Sequence, residues 1–119
     1  MIDFIKSRFR AFGYAFKGAW LLIKREASIQ VQLSCAILVT LAGFYFEIST
    51  TEWLIQILAI ALVLAVEGLN TAVEEMADFV HPDFHSSIGR VKDIAAGAVT
   101  FAALGALIAG VLIYGPRIF

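Results

Sequence analysis

Long apolar runs alternate along this chain with short stretches that carry most of its charge. Three of the runs approach or exceed the roughly 17 to 25 residues of a membrane-spanning helix. They predict spanning helices over residues 29–46, 53–80 and 94–114, the second continuing into a polar end. Only short polar loops separate the runs, so the pattern predicts an all-α membrane protein with one domain over residues 1–119.

The first segment, residues 2–25, has the periodicity of an amphipathic helix and not of a spanning one. Its apolar side chains recur on one helical face, with a stripe of cations beside it. The apolar positions are Ile5, Phe9, Phe12, Phe16, Trp20 and Ile23, and the cations are Lys6, Arg10, Lys17 and Lys24. Such a helix lies in the membrane interface. Two interpretations stay open: a simple anchor, or a surface that also meets ligand phosphates.

Small side chains form a stripe along the last apolar run. Ala98, Ala102, Ala106 and Gly110 recur every four residues, which lets a neighbouring helix approach closely. Tight packing is the simplest reason for such spacing. The expected architecture is therefore one interfacial helix plus three spanning helices.

Composition and charge support a membrane location and give it a direction. Hydrophobic residues make up 61% of the chain and charged residues 16%, against about 25% charged in soluble domains. Six of the nine Lys and Arg precede residue 26, and Arg90 and Lys92 lie between the last two runs. Basic segments stay on the cytoplasmic side. The cations thus indicate orientation and anionic phosphate groups, and argue against nucleic acid as a partner.

The polar end of the second run reads EGLNTAVEEMAD. Glu67, Asn70, Glu74 and Asp78 lie three, four and four residues apart, so they share one side of a helix, whereas Glu75 points elsewhere. Charge beside an apolar run is costly unless it faces a bundle interior or a watery site. Oxygen ligands at this density suit Mg²⁺ with substrate phosphates. The set predicts phosphoryl transfer at the cytoplasmic face, with cations of the following loop receiving the phosphates.

Simpler explanations exist for the individual side chains. Asp78 and Glu75 are compatible with ordinary charges at a helix end. His81 and His85 fit loop positions, and no Cys/His spacing supports zinc. Two other classes of protein remain as alternatives: a small oligomeric transporter or channel with intramembrane carboxylates, and a noncatalytic lipid-binding scaffold.

Two strings resemble a known family. EGLNTAVEEMAD followed by HSSIGRVKDIAAGAV resembles the signature of the prokaryotic diacylglycerol kinases, which include undecaprenol kinases. GYAFKGAW followed by Glu26 resembles that family's N-terminal helix. The resemblance covers nearly the whole chain and implies an ATP- and Mg²⁺-dependent kinase that phosphorylates the hydroxyl of diacylglycerol or undecaprenol. It also implies a homotrimer with shared active sites, in the bacterial inner membrane with the site facing the cytoplasm. No G-x-x-x-x-G-K-[ST] loop is present, so this is not a P-loop kinase.

The resemblance implies a role for each matching residue. Glu67 would be the general base, Glu26 and Glu74 would hold Mg²⁺, and Lys92 with Asp93 would organise the triphosphate. The full set of implied ATP-binding residues is Arg10, Tyr14, Glu26, Asn70, Glu74, His85, Lys92 and Asp93.

Two positions and one local similarity refine what the resemblance implies. Arg10 stands where the best-known branch has Lys, and Asp78 matches an acidic position of possible additional importance. The strings EGLNTAVE and KDIAAGAV are more similar to the undecaprenol kinase branch, which favours a broad or undecaprenol-like specificity.

Overall fold

Four α-helices and no strand make up the computed structural model, which describes all 119 residues. The helices are α1 (Ile2–Arg25), α2 (Ala27–Tyr45), α3 (Thr50–Val80) and α4 (Ser86–Ile118). Helices α2, α3 and α4 are each long and apolar enough to cross a membrane. The prediction of an all-α protein with three spanning helices is confirmed.

The largest difference from the sequence prediction is the start of α4. This helix begins at Ser86 and not near residue 94, so Lys92 and Asp93 lie on its early turns and not in a loop. His85 caps the helix, because its Nδ1 accepts a hydrogen bond from Ser87 N at 3.1 Å. The sequence prediction placed the start of this span where the apolar run begins. The first turns of α4 are polar, so they fell outside the predicted span.

The turn between α2 and α3 is closed by a capping box and an ion pair. Ser49 Oγ accepts from Glu52 N at 3.2 Å, and Glu52 Oε1 accepts from Ser49 N at 3.0 Å. Arg117, at the end of α4, donates to both carboxylate oxygens of Glu52 at 2.8 Å. Reciprocal capping satisfies free amides at a helix start, and a two-pronged arginine contact fixes orientation. This end of the bundle is therefore tied together.

A second set of contacts links all three spanning helices near the same end. The Tyr114 hydroxyl donates to Gln56 Oε1 at 2.5 Å and lies 2.9 Å from Val39 O. Gln56 Nε2 donates to the same carbonyl at 3.2 Å. Within the small-residue stripe Ala102 is buried, Ala106 and Gly110 are half-buried, and Ala98 is exposed. Polar groups buried here therefore have partners on neighbouring helices.

Helix α1 projects sideways from the spanning helices. It has no buried residue. The molecule measures 49 × 48 × 22 Å, and a helix as long as α4 extends about 50 Å, so the second long dimension comes from α1. Phe9, Phe12, Phe16 and Trp20 are each more than half exposed. A helix lying across the spanning helices with an exposed aromatic face suits the membrane interface.

Candidate active site

Glu67 is a buried carboxylate on α3, with 8% of its surface exposed. It faces α2, where Gln32 Nε2 donates to Glu67 Oε2 at 3.2 Å. The sequence prediction for the site did not include Gln32. The available signal was an amide within an apolar spanning segment, which normally faces polar groups and not lipid.

One turn further along α3, Asn70 and Glu74 are bonded to each other. Asn70 is 9% exposed, and its Nδ2 donates to Glu74 Oε1 at 3.4 Å. Asn70 Oδ1 is buried without a partner, as is Gln32 Oε1. A buried acceptor without a donor costs about 1 to 3 kcal/mol. The strip that the spacing predicted therefore exists, and its oxygens have unused capacity for a cation or a donor.

At the end of α3 the strip meets α4. Lys92 Nζ forms an ion pair with Asp78 Oδ1, which joins the two helices across the short turn. These two residues, with His81 and His85, line a pocket of about 260 Å³. The two imidazole rings lie 5.1 Å apart. Asp78 therefore lies beside a lysine of the predicted ATP site.

A separate cleft of about 310 Å³ lies between α1 and α3 and contains Glu26. Glu75 lines it too, whereas Glu74 does not. The helices approach closely here, because a Cβ added at Gly68 would lie 3.0 Å from Leu22 Cδ1. Glu75 therefore does leave the strip, as its spacing predicted, and it is an exposed side chain that lines the same cleft as Glu26.

The donor chemistry of the strip suits Mg²⁺. This ion binds one or two carboxylates and completes its shell with water and phosphate oxygens. Glu74 and the unpartnered Asn70 Oδ1 offer such oxygens. Within one chain no three Asp, Glu, His or Cys side chains are close enough to hold a metal ion. Glu26 lies in the α1–α3 cleft, so its predicted partnership with Glu74 stays a prediction.

The remaining predicted nucleotide contacts fall outside the strip. Arg10 and Tyr14 are exposed on α1, and neither side chain forms a hydrogen bond or ion pair in this chain. Asp93 is exposed on α4, one residue after Lys92. One chain thus brings Glu67, Asn70 and Glu74 together and leaves the α1 residues apart from them.

The sequence matches known proteins along nearly its whole length. The sequence model of the family described as prokaryotic diacylglycerol kinase matches residues 13–114. An undecaprenol kinase of Bacillus subtilis (strain 168) is 36% identical over 110 residues, which cover 92% of this chain and 89% of that protein. A diacylglycerol kinase of Escherichia coli (strain K12) is 29% identical over 102 residues, or 83% and 81% of the two chains. A diacylglycerol kinase of Synechocystis is 30% identical over 101 residues, or 84% and 58%. The chain therefore belongs to the prokaryotic diacylglycerol kinase family and is a membrane lipid kinase.

Proposed function

We propose that this protein transfers the terminal phosphoryl group of ATP to the hydroxyl of a membrane lipid alcohol, with Glu67 as the general base. The observation that carries the proposal is the position of Glu67. It is a buried carboxylate where an apolar run ends, followed on the same helix face by Asn70 and Glu74. A base, oxygen ligands for a cation and a lysine for the phosphates are the groups that phosphoryl transfer needs, and Lys92 pairs with Asp78, four residues after Glu74.

The proposed reaction begins with the lipid hydroxyl at Glu67. A hydroxyl is a poor nucleophile, so a base must lie within hydrogen-bonding reach when it attacks phosphorus. Gln32 bonds Oε2 of the carboxylate, which leaves Oε1 to accept the proton. The new bond joins the lipid oxygen to phosphorus as the bond to the departing ADP oxygen breaks.

Asn70, Glu74 and Lys92 would receive the nucleotide. Glu74 and the free Asn70 Oδ1 would hold the Mg²⁺ that accompanies ATP, together with Glu26. When bound, Mg²⁺ neutralises charge on the phosphates. Lys92 would contact the triphosphate and Asp93 would orient its neighbours. Arg10, Tyr14 and His85 would contact the rest of the nucleotide.

We further propose a homotrimer whose active sites combine residues of two subunits. The exposed Arg10 and Tyr14 on α1, a helix with no buried residue, support this arrangement. So does the location of Glu26, which shares a cleft with Glu75 and not with Glu74. An α1 from a neighbouring subunit would complete the strip.

Undecaprenol is the substrate that we propose first, with diacylglycerol as the second. Support comes from the higher identity to an undecaprenol kinase, 36%, than to the diacylglycerol kinases of Escherichia coli (strain K12) and Synechocystis, 29% and 30%. We place the protein in the bacterial inner membrane with its site on the cytoplasmic side. The basic N-terminal segment and the cations at Arg90 and Lys92 support this orientation.

The test is a transfer assay with radiolabelled ATP and Mg²⁺ in micelles that contain undecaprenol, diacylglycerol or ceramide. We expect labelled lipid, with undecaprenol giving the highest kcat/KM. Glu67→Gln should lower kcat by about 100-fold or more, because a positioned base contributes about 10² to 10⁴. Glu47→Gln, the same change at an exposed position in the α2–α3 turn at the other end of the bundle, should keep the activity.

Each part of the proposal has its own contrary result. Solute flux through proteoliposomes without ATP consumption would favour the transporter alternative, and ATP binding without turnover on any lipid would favour the scaffold. Full turnover by Glu67→Gln would remove the base assignment. Full activity of Glu74→Gln would remove the metal assignment.

A further inference from the structure

Gln32 connects α2 to Glu67. Its Nε2 donates to Glu67 Oε2 at 3.2 Å, and no other hydrogen bond joins side chains of α2 and α3. An N–H donor on an ionised carboxylate makes a stronger bond than a pair of neutral groups does. The amide therefore holds the carboxylate group in one orientation from a neighbouring helix.

Orientation matters more at Glu67 than at an exposed glutamate. A glutamate side chain rotates about three bonds, and burial alone limits these rotations without fixing the direction of the carboxylate oxygens. A general base must present one oxygen to the hydroxyl, and small misplacements of reacting groups are costly in rate. With Oε2 taken by Gln32, Oε1 is the oxygen left to accept the proton in the proposed reaction.

Gln32 also carries a cost that folding alone does not explain. Its Oε1 is buried without a hydrogen-bond partner. An apolar side chain of the same size would avoid that cost, because leaving a buried acceptor unpaired is unfavourable. The Nε2 end, by contrast, donates to the Glu67 carboxylate. A donor of this kind is the partner that an ionised base needs.

Gln56 lines the same apolar cleft as Gln32, but the hydrogen bonds of its side chain are different. The cleft, of about 190 Å³, lies among α2, α3 and α4 and is lined by Gln32 as well as Gln56 and Tyr114. Both ends of the Gln56 amide are bonded, one to Val39 O and one to the Tyr114 hydroxyl. Both polar atoms of the Gln56 side chain are therefore used in structural contacts, whereas the one side-chain partner of Gln32 is the Glu67 carboxylate.

We propose that Gln32 is a positioning residue that orients the Glu67 carboxylate for proton transfer. This inference rests on the proposed function, because it takes Glu67 as the base. It adds a residue of α2 to the machinery of phosphoryl transfer, one that acts through Glu67 and not through the substrate.

The test compares three variants in the transfer assay, with kcat and KM measured for ATP and for the lipid. Gln32→Met keeps the length of the side chain and removes the donor, so kcat should fall about tenfold with both KM values retained. Gln32→His places Nε2 the same number of bonds from the backbone and should keep most of the turnover. Gln56→Met is the matched control: its unfolding midpoint should fall, and its kcat below that midpoint should match the unchanged protein.

The outcomes separate the inference from the proposed function. If the unchanged protein phosphorylates no lipid, the proposed function fails before Gln32 is considered. If the unchanged protein is active and Gln32→Met keeps its full kcat, only the inference fails. A raised KM for the lipid at constant kcat would mean that Gln32 contacts substrate, which also overturns it. Should Gln32→Met not assemble, Gln32→Leu removes the donor with a shorter apolar side chain and adds no charge beside Glu67, and the same loss of kcat is required.

Discussion

Gly43 is the position where one methyl group should disturb the bundle most. A Cβ built there would lie 2.6 Å from Trp53 Cη2 and 2.8 Å from Cζ2, with Ile48 Cδ1 at 3.1 Å. Both ring distances are well below normal contact, and the Trp53 ring also packs on Phe44 with centroids 4.9 Å apart. Overpacking costs about 1 to 3 kcal/mol, and alanine recovers about 1 kcal/mol of helix propensity. Two contacts this short put the overpacking cost at the upper end of its range, about 3 kcal/mol. After the gain in helix propensity, we expect Gly43→Ala to lose about 2 kcal/mol of unfolding free energy.

The assay is equilibrium unfolding in micelles, followed by tryptophan fluorescence and by helical circular dichroism. A loss of about 2 kcal/mol should lower the thermal midpoint by roughly 10 °C in a chain of this size. Gly105→Ala is the matched control, since no atom lies within 4 Å of a Cβ added there. Its midpoint should stay constant or rise. Equal stability of Gly43→Ala and the unchanged protein, or an equal fall in both variants, would refute the reasoning.

Two further predictions concern contacts at opposite ends of the bundle. Tyr114→Phe removes the hydroxyl that donates to Gln56 and leaves Gln56 Oε1 buried without a donor, so it should lower the unfolding free energy by about 1 kcal/mol, at the low end of the cost of an unpaired buried acceptor. Chemical unfolding measures this loss, and an unchanged midpoint would contradict it. Lys92→Met should raise the KM for ATP about tenfold, because a phosphate contact is lost. Its unfolding free energy should change by less than about 1 kcal/mol, since its pair with Asp78 is partly exposed, and an unchanged KM would remove Lys92 from the nucleotide site.

The spanning helices could be predicted because lipid demands long apolar runs, and these are visible without any tertiary information. The start of α4 could not be predicted in the same way. A helix that continues into water carries polar residues, and hydropathy does not distinguish its first turns from a loop. The helix is capped by His85, which is not among the residue types preferred at that position.

The strip on α3 could be predicted because helical spacing fixes which residues share a face. Spacing does not reveal which helix packs on each face. The contact of Gln32 with Glu67 depends on how α2 packs against α3, and the cleft that holds Glu26 and Glu75 depends on where the end of α1 meets α3. These relations between helices needed the three-dimensional structure.

The length of α3 sets the depth at which the proposed chemistry occurs. Glu67 lies 17 residues after Thr50, which corresponds to about 26 Å along the helix axis at 1.5 Å per residue, close to the roughly 30 Å thickness of the hydrocarbon layer. Asp78 lies about 16 Å further on, beyond that layer. A lipid alcohol with its hydroxyl at the boundary would thus meet the base without leaving the bilayer. The newly attached phosphate would form at headgroup level, so its charge would not have to cross the hydrocarbon layer.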